Sequence, residues 1–297
     1  MINVYPPDLW ARVETRVREV CSLSLRPVQL LGRPRPNRCT WLAEGGPETV
    51  IVKAVSNPFA LKRLTWTEQA LSILKKRGYP IARTLWRGAL DEQWLIMVQA
   101  RVPGEAIKIL DASALDALFA LVDLQADPGI TAGSWDISWW MSVVLFEGWE
   151  GWWKTVQTCA PETGHKLRSF VQPAWGLRLP ADDLVHGDLN LTNVLCDQGT
   201  ISGVVDWDDV GIGSRASDLT SLLFDWHRLR LSKQSAAVPD GGERLVRRII
   251  ELVGIEGLRC TITYGAIARI ALTAERGEQE ALSTWRQVAA AIVDFAI

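Results

Sequence analysis

The polar residues whose types and spacing suit chemistry lie in His186-Gly187-Asp188-Leu189-Asn190-Leu191-Thr192-Asn193-Val194-Leu195. After the apolar run Ile201–Val205 come Asp206-Trp207-Asp208. Asp188 and Asn193, five residues apart in a loop, can face one site, and Asp206 stands at the end of a predicted strand. Oxygen donors of this kind suit a hard cation. Magnesium keeps several waters and is usually held by one or two carboxylates plus substrate phosphates. On that chemistry Asn193 and Asp206 are the candidate metal ligands, and Asp188 is the carboxylate left to receive or orient a hydroxyl.

The H-x-D-x-x-x-x-N loop followed by a strand-borne Asp resembles the catalytic loop and metal-binding Asp of the protein-kinase-like superfamily. Its form, H-G-D-L-N-L-T-N-V-L and then V-V-D-W-D-D, is closer to the aminoglycoside phosphotransferase and choline kinase branch than to protein kinases. Gly follows the His, and Trp follows the metal Asp where protein kinases carry D-F-G. The resemblance covers nearly all of the chain from about residue 25 and implies transfer of the γ-phosphoryl group of ATP or GTP, with Mg2+, to a hydroxyl of a small molecule.

Further roles come with the resemblance. Thr49-Val50-Ile51-Val52-Lys53 is similar to the V-A-I-K strand whose Lys reaches the α- and β-phosphates, and Glu68 in the following helix matches the partner that fixes it. The stretch Met97–Glu105 is similar to the family's M-E-x-V-P-G-E hinge without its acidic residue, so Gln99 to Arg101 would offer backbone groups to adenine. His186 takes a structural role near the metal Asp. Asp218 matches an Asp that braces the catalytic loop; as a residue it reads equally as a first-turn acid favoured by the helix dipole. Asp208 supports a second metal or the turn. The first hairpin, Gly32–Arg38, lacks the G-x-G-x-x-G glycines, which counts against a protein kinase; Arg33, Arg35 and Arg38 are available to contact phosphates or solvent.

Positioning these residues requires two kinds of structure. The first hundred residues read as short strands: Val28–Gly32, Cys39–Ala43, Thr49–Val55, then Thr84–Leu90 and Trp94–Val98. A helix capped by Asn57 and ended by Gly78 and Pro80 lies between the two groups. Beyond Val102-Pro103-Gly104 helices are predicted near 111–126, 136–158, 214–230, 241–253, 257–273 and 278–295. The expectation is an α+β, bilobal protein-kinase-like fold. Residues 1–101 form a nucleotide-binding lobe with a five-stranded antiparallel sheet plus one helix. Residues 102–297 form a mostly helical lobe with the catalytic loop and acceptor pocket.

Composition narrows the function classes. The net charge of −2 hides an asymmetry, with 16 Lys+Arg against 8 Asp+Glu in residues 1–104 and 16 against 26 in the remainder. A basic half can face an anion and an acidic half a metal or cationic acceptor. No basic domain with interleaved aromatics marks a nucleic-acid binder. No apolar run reaches the roughly 18–20 residues of a membrane span, and Met1–Val20 has no signal core. Five cysteines, widely spaced, make neither a disulfide framework nor a zinc site. A cytoplasmic monomer or homodimer is expected, without nucleic-acid or membrane partners. Tryptophan is over-represented, at 15 against 6 Phe and 3 Tyr. Trp135, Trp139, Phe146, Trp149 and Trp153 read as one helical stripe, either core packing or an aromatic wall for a sugar or an alkylammonium, with Glu147 and Glu150 beside it. An aminoglycoside or other basic antibiotic is the favoured acceptor; a metabolic amino-alcohol or amino-sugar, such as choline, homoserine or glucosamine, is the alternative. A non-catalytic pseudokinase is a third reading.

Overall fold

The computed structural model describes residues 6–32, 37–56, 63–126, 129, 135–147, 150–232 and 237–296. Its first elements are helix α1 (Leu9–Cys21), strands β1 (Leu25–Leu30), β2 (Arg38–Gly45) and β3 (Glu48–Ser56), helix α2 (Leu64–Lys76), and strands β4 (Thr84–Ala89), β5 (Trp94–Ala100) and β6 (Glu105–Ala106). Helices α3 (Ala112–Asp123), α4 (Ile137–Phe146), α5 (Glu150–Cys159) and α6 (Pro161–Val171) follow. Strands β7 (Asp183–Val185), β8 (Val194–Asp197), β9 (Thr200–Val204) and β10 (Gly211–Gly213) come next. Helices α7 (Ala216–Leu231), α8 (Gly241–Glu275) and α9 (Gln279–Phe295) complete the chain. Two units result: Met1–Lys75, Pro80–Glu105 and Leu195–Asp208 in one, Lys76–Tyr79, Ala106–Val194 and Asp209–Ile297 in the other. Among the described residues no helix is long and apolar enough to cross a membrane.

The first unit holds the expected five-stranded antiparallel sheet, in the order β1-β2-β3-β5-β4. Side chains alternate faces along a strand, and β3 shows what this does for the site. Val50, Val52 and Ala54 turn to one face, where they bury against Trp41, Ile96, Val98 and helix α1. Lys53 therefore points to the other face, in one cross-strand row with Met97 and Arg87. Helix α1 is an addition to the single helix expected beside the sheet. Leu9, Val13 and Val17 recur every fourth residue among charged neighbours, and all three are fully buried. That spacing is one face of a helix, and the sheet supplies the surface it needs. Asn57, the expected cap of α2, and Arg33 and Arg35 lie outside the described residues.

The second unit is mostly helical. The expected helix 136–158 is two helices: α4 ends at Phe146, and α5 returns so that the Trp153 indole N–H donates to the Val144 carbonyl at 3.0 Å. Helix α6, unanticipated, begins with Pro161 in its first turn, where a missing N–H costs nothing. The two helices expected at 241–253 and 257–273 are both present, as two arms of α8 separated at Gly254, whose φ 70° and ψ 178° are not helical. At its centre, helix α7 buries twelve of its sixteen residues.

One of those residues makes folding pH-dependent. His227 lies edge-on to Trp226 and Phe295, its Nε2 buried without a partner among the described residues. Burial pushes its pKa from 6.5 down to about 4. The unfolded chain takes the proton first as pH falls, so the stabilisation is complete above 6.5 and lost on descent toward 4. Between about pH 7 and about pH 5 the loss is on the order of 2 kcal/mol. Urea unfolding of wild type and His227→Leu at both pH values is expected to show this pH dependence shrinking in the variant. An equal dependence in both would assign it to other groups.

Candidate active site

In the first unit, Lys53 is buried at 6% exposure, and its ammonium lies 2.5 Å from Asp206 Oδ1 and 2.6 Å from Asp208 Oδ2. Arg38, at the start of β2, also bridges this carboxylate pair, donating to Asp206 Oδ1 at 2.7 Å and to Asp208. Burial alone would raise the Asp208 pKa, but Lys53 and Arg38 outweigh it and hold the carboxyl below its ordinary value. Asp206 has φ 67°, a left-handed conformation that Asp tolerates better than most side chains. The structure does not bring Glu68 to Lys53. On α2 the buried face is Trp66, Thr67, Ala70, Leu71 and Leu74, which leaves Glu68 exposed. Its charge acts on Arg87 instead, whose pKa is lowered by burial against the opposing pull of Asp208 and Glu68.

Gln99 is buried in β5 opposite Ile51, and Arg101 is exposed, its N–H bonded to the Thr49 carbonyl at 3.0 Å. Ala100, Arg101, Pro103 and Gly104 border an open cleft of about 580 Å³ with Glu48, Thr49 and Arg83. The segment is pinned from behind. Ser202 donates to the Pro103 carbonyl at 2.6 Å, and at Gly104, with φ 97°, a Cβ would stand 2.2 Å from the Cys196 carbonyl oxygen. Only glycine allows that approach.

In the second unit β7 pairs antiparallel with β10 and delivers the chain into the His186–Asn193 loop. Gly187 turns it at φ 82°, where a Cβ would meet the Asp209 carbonyl at 2.5 Å. His186 is fully buried and accepts the Asp188 N–H on Nδ1 at 3.3 Å. Asp218, at 1% exposure, accepts the N–H groups of His186 at 2.7 Å and Gly187 at 3.1 Å and the Gln125 amide at 2.9 Å. Burial raises its pKa, and these partners oppose the rise. Two amides flank the Asp188 carboxylate: Asn190 donates to Oδ1 at 3.1 Å and Asn193 approaches Oδ2 at 3.5 Å. Asn193 also donates to the Asp188 carbonyl at 2.9 Å. With its nitrogen committed, its Oδ1 remains for a cation, and that hard oxygen, like the Asp206 carboxylate, fits magnesium.

Sequence reasoning missed Asn190, Arg38 as the partner of the two carboxylates, and Asp225, which accepts the Leu191 N–H at 2.7 Å. The tryptophan stripe also divides. Trp153 is buried under Arg168, Phe146 pairs with the exposed Trp175, and Trp149 and the Glu150 side chain lie outside the described residues. Glu147 meets Arg178 at 3.4 Å. A different aromatic cluster forms: Trp140 lies 5.6 Å from Trp135, 6.5 Å from Trp139 and 6.4 Å from Trp152, and Trp152 lies 6.1 Å from Tyr264. Burial and the Asp209 charge raise the Tyr264 pKa, against a hydrogen bond from the Trp140 indole. Trp135 ties the cluster to the β7–β10 pair, since its carbonyl accepts the Ile212 N–H of β10 at 2.9 Å.

A five-stranded antiparallel sheet bearing an inward lysine, and a helical unit bearing an H-G-D loop and its buried Asp, define a kinase-type phosphotransferase fold. Residues 31–252 match the model of the APH phosphotransferase enzyme family, and the chain belongs to that family. No curated protein is detectably similar in sequence. Among solved structures, the apo form of a thermostable mutant of aminoglycoside phosphotransferase APH(4)-Ia is 16% identical, with a TM-score of 0.70 over 95% of this chain and 98% of that one. Its ternary complex with ADP and hygromycin B is 18% identical, with a TM-score of 0.68 over 95% and 98%. Macrolide 2'-phosphotransferase MphH from Brachybacterium faecium is 16% identical, with a TM-score of 0.54 over 96% and 98%. At these identities the likeness is one of fold.

Proposed function

We propose that the chain transfers the γ-phosphoryl group of ATP or GTP to a hydroxyl of a small cationic molecule, with an aminoglycoside or another basic antibiotic as acceptor. The observation that carries this reading is the Asp188 carboxylate, flanked by the Asn190 and Asn193 amides on a loop whose backbone hangs from buried Asp218. Such a group orients an acceptor hydroxyl and takes its proton. Lys53 would steady the α- and β-phosphates, and the backbone of Gln99–Arg101 the adenine. Asp206 and Asn193 would each supply an oxygen to magnesium, which when bound neutralises charge on the transferring phosphates. Binding of ADP and hygromycin B by a protein of the same fold supports both the nucleotide and the cationic acceptor by analogy.

The Trp140, Trp152 and Tyr264 rings favour a second reading within the same reaction, an amino-alcohol whose single ammonium is held by cation–π attraction. Turnover of ATP and GTP against aminoglycosides, basic peptide antibiotics, macrolides, choline, homoserine and amino sugars decides between them. Turnover of one class, lost in Asp188→Ala, is the expected result; silence across the panel with intact nucleotide binding would favour a pseudokinase. For a cationic acceptor, Trp140→Ala is expected to raise the acceptor KM about 5- to 30-fold, the worth of a desolvated cation–π contact. An unchanged acceptor KM would remove Trp140 from the pocket.

A further inference from the structure

Helix α7 carries two nearly buried carboxylates, Asp218 at 1% and Asp225 at 4% exposure, seven residues apart and so on one face. Asp218 holds the loop ahead of Asp188. Asp225 holds it behind: its Oδ2 accepts the Leu191 N–H at 2.7 Å. Its Oδ1 is paired with Arg228, Nε at 3.1 Å and Nη2 at 3.0 Å. Burying a carboxylate is costly unless it is paired and hydrogen-bonded, and Asp225 meets both conditions with one oxygen each. A charged acceptor grips a backbone N–H about twice as strongly as a neutral one.

What hangs from Leu191 is the turn Leu191–Asn193, capped by Asn190, whose Oδ1 accepts the Thr192 N–H at 3.0 Å. Asn190 and Asn193, the residues on either side of Leu191 and Thr192, are the two whose amides flank the Asp188 carboxylate. A second cation stands nearby. Arg269 of α8 stacks on Phe224 at 4.4 Å and on Trp285 at 5.4 Å, with Asp225 and Asp188 as its neighbouring anions.

We propose that Asp225 is a positioning residue for phosphoryl transfer: it fixes Leu191, and through the turn the two amides that aim Asp188, while Arg228 and Arg269 supply the countercharge. The assignment rests on the phosphotransfer reading above, but part of its test does not. Amide hydrogen exchange of the whole chain is expected to show Leu191 as protected as His186. In Asp225→Ala, Leu191 exchange should rise about 10- to 100-fold while β3 amides keep their protection. The kcat of this variant should fall about 10- to 100-fold, with the nucleotide KM within about twofold.

Asp225→Asn keeps an acceptor oxygen but loses the charge that holds Arg228. It is expected to fold and to show the same split at smaller amplitude, about three- to tenfold in kcat. This variant decides the matter if Asp225→Ala loses β3 protection and proves unfolded. Rapid Leu191 exchange in the wild type, unchanged Leu191 exchange in Asp225→Ala, or wild-type kcat in Asp225→Asn would each overturn the assignment. Absence of turnover with every acceptor would count against the reaction and not the brace, because Leu191 exchange is read without catalysis.

Discussion

Asp188→Ala is expected to lower kcat by about 100- to 10,000-fold, the range over which a positioned proton acceptor contributes. The affinity for nucleotide should stay within about twofold, because the phosphate and adenine contacts are assigned to other residues. Asp188 is the one carboxylate of the loop flanked by amides on both oxygens. Those amides fix its orientation and leave it able to accept from a hydroxyl. The effect belongs in kcat more than in KM, since orientation matters most as the attacking oxygen aligns with the leaving one. Asp188→Asn preserves shape but places an amide nitrogen beside one of the two donor amides, so it should be little better than alanine. Coupled-assay turnover and calorimetric nucleotide binding on the same preparations make the comparison. A fall of less than about tenfold would show that Asp188 positions substrate without taking its proton.

The loop is legible in sequence because its chemistry is local: a His, an Asp and an Asn at fixed spacing, with Gly187 supplying the positive φ that the turn requires. The sheet is legible for a similar reason, as β-branched and aromatic runs punctuated by turns at Gly45-Gly46 and Asp91-Glu92. What the sequence hides is pairing over distance. Arg38 and Asp206 are 168 positions apart, one opening β2 and the other just beyond the end of β9, so no local pattern shows that they meet. Glu68 has the spacing of a lysine partner, yet the apolar residues around it turn the helix so that it faces water. The aromatic stripe misleads because its periodicity runs on past Phe146, where the helix stops. Asp225 is invisible for a different reason. An acid seven residues beyond Asp218 in the same helix gives no sign that it receives a backbone N–H from a loop 34 positions earlier.

Asp206→Ala carries the second large effect, and the geometry makes it a two-sided one. Magnesium-dependent nucleotide binding should weaken by roughly 100-fold or more, since a lost charged ligand removes several kcal/mol of cation binding. Lys53 and Arg38 both lie on this carboxylate, and its removal takes one anion from each while Asp208 still pairs with both. Their charge then acts more fully on phosphates, so nucleotide measured in excess chelator should bind as tightly as to the wild type, or more tightly. The substitution also changes the backbone, because φ 67° is easier for Asp or Asn than for Ala. Asp206→Asn keeps that conformation and loses only charge, so a loss of metal-dependent binding shared by both variants belongs to the carboxylate. Calorimetric titration of nucleotide with magnesium and with chelator, on wild type and both variants, reads all of these terms. Unchanged magnesium-dependent affinity in the two variants would take the metal away from Asp206, and weaker binding in chelator would mean that Lys53 and Arg38 need the carboxylate to stay in place.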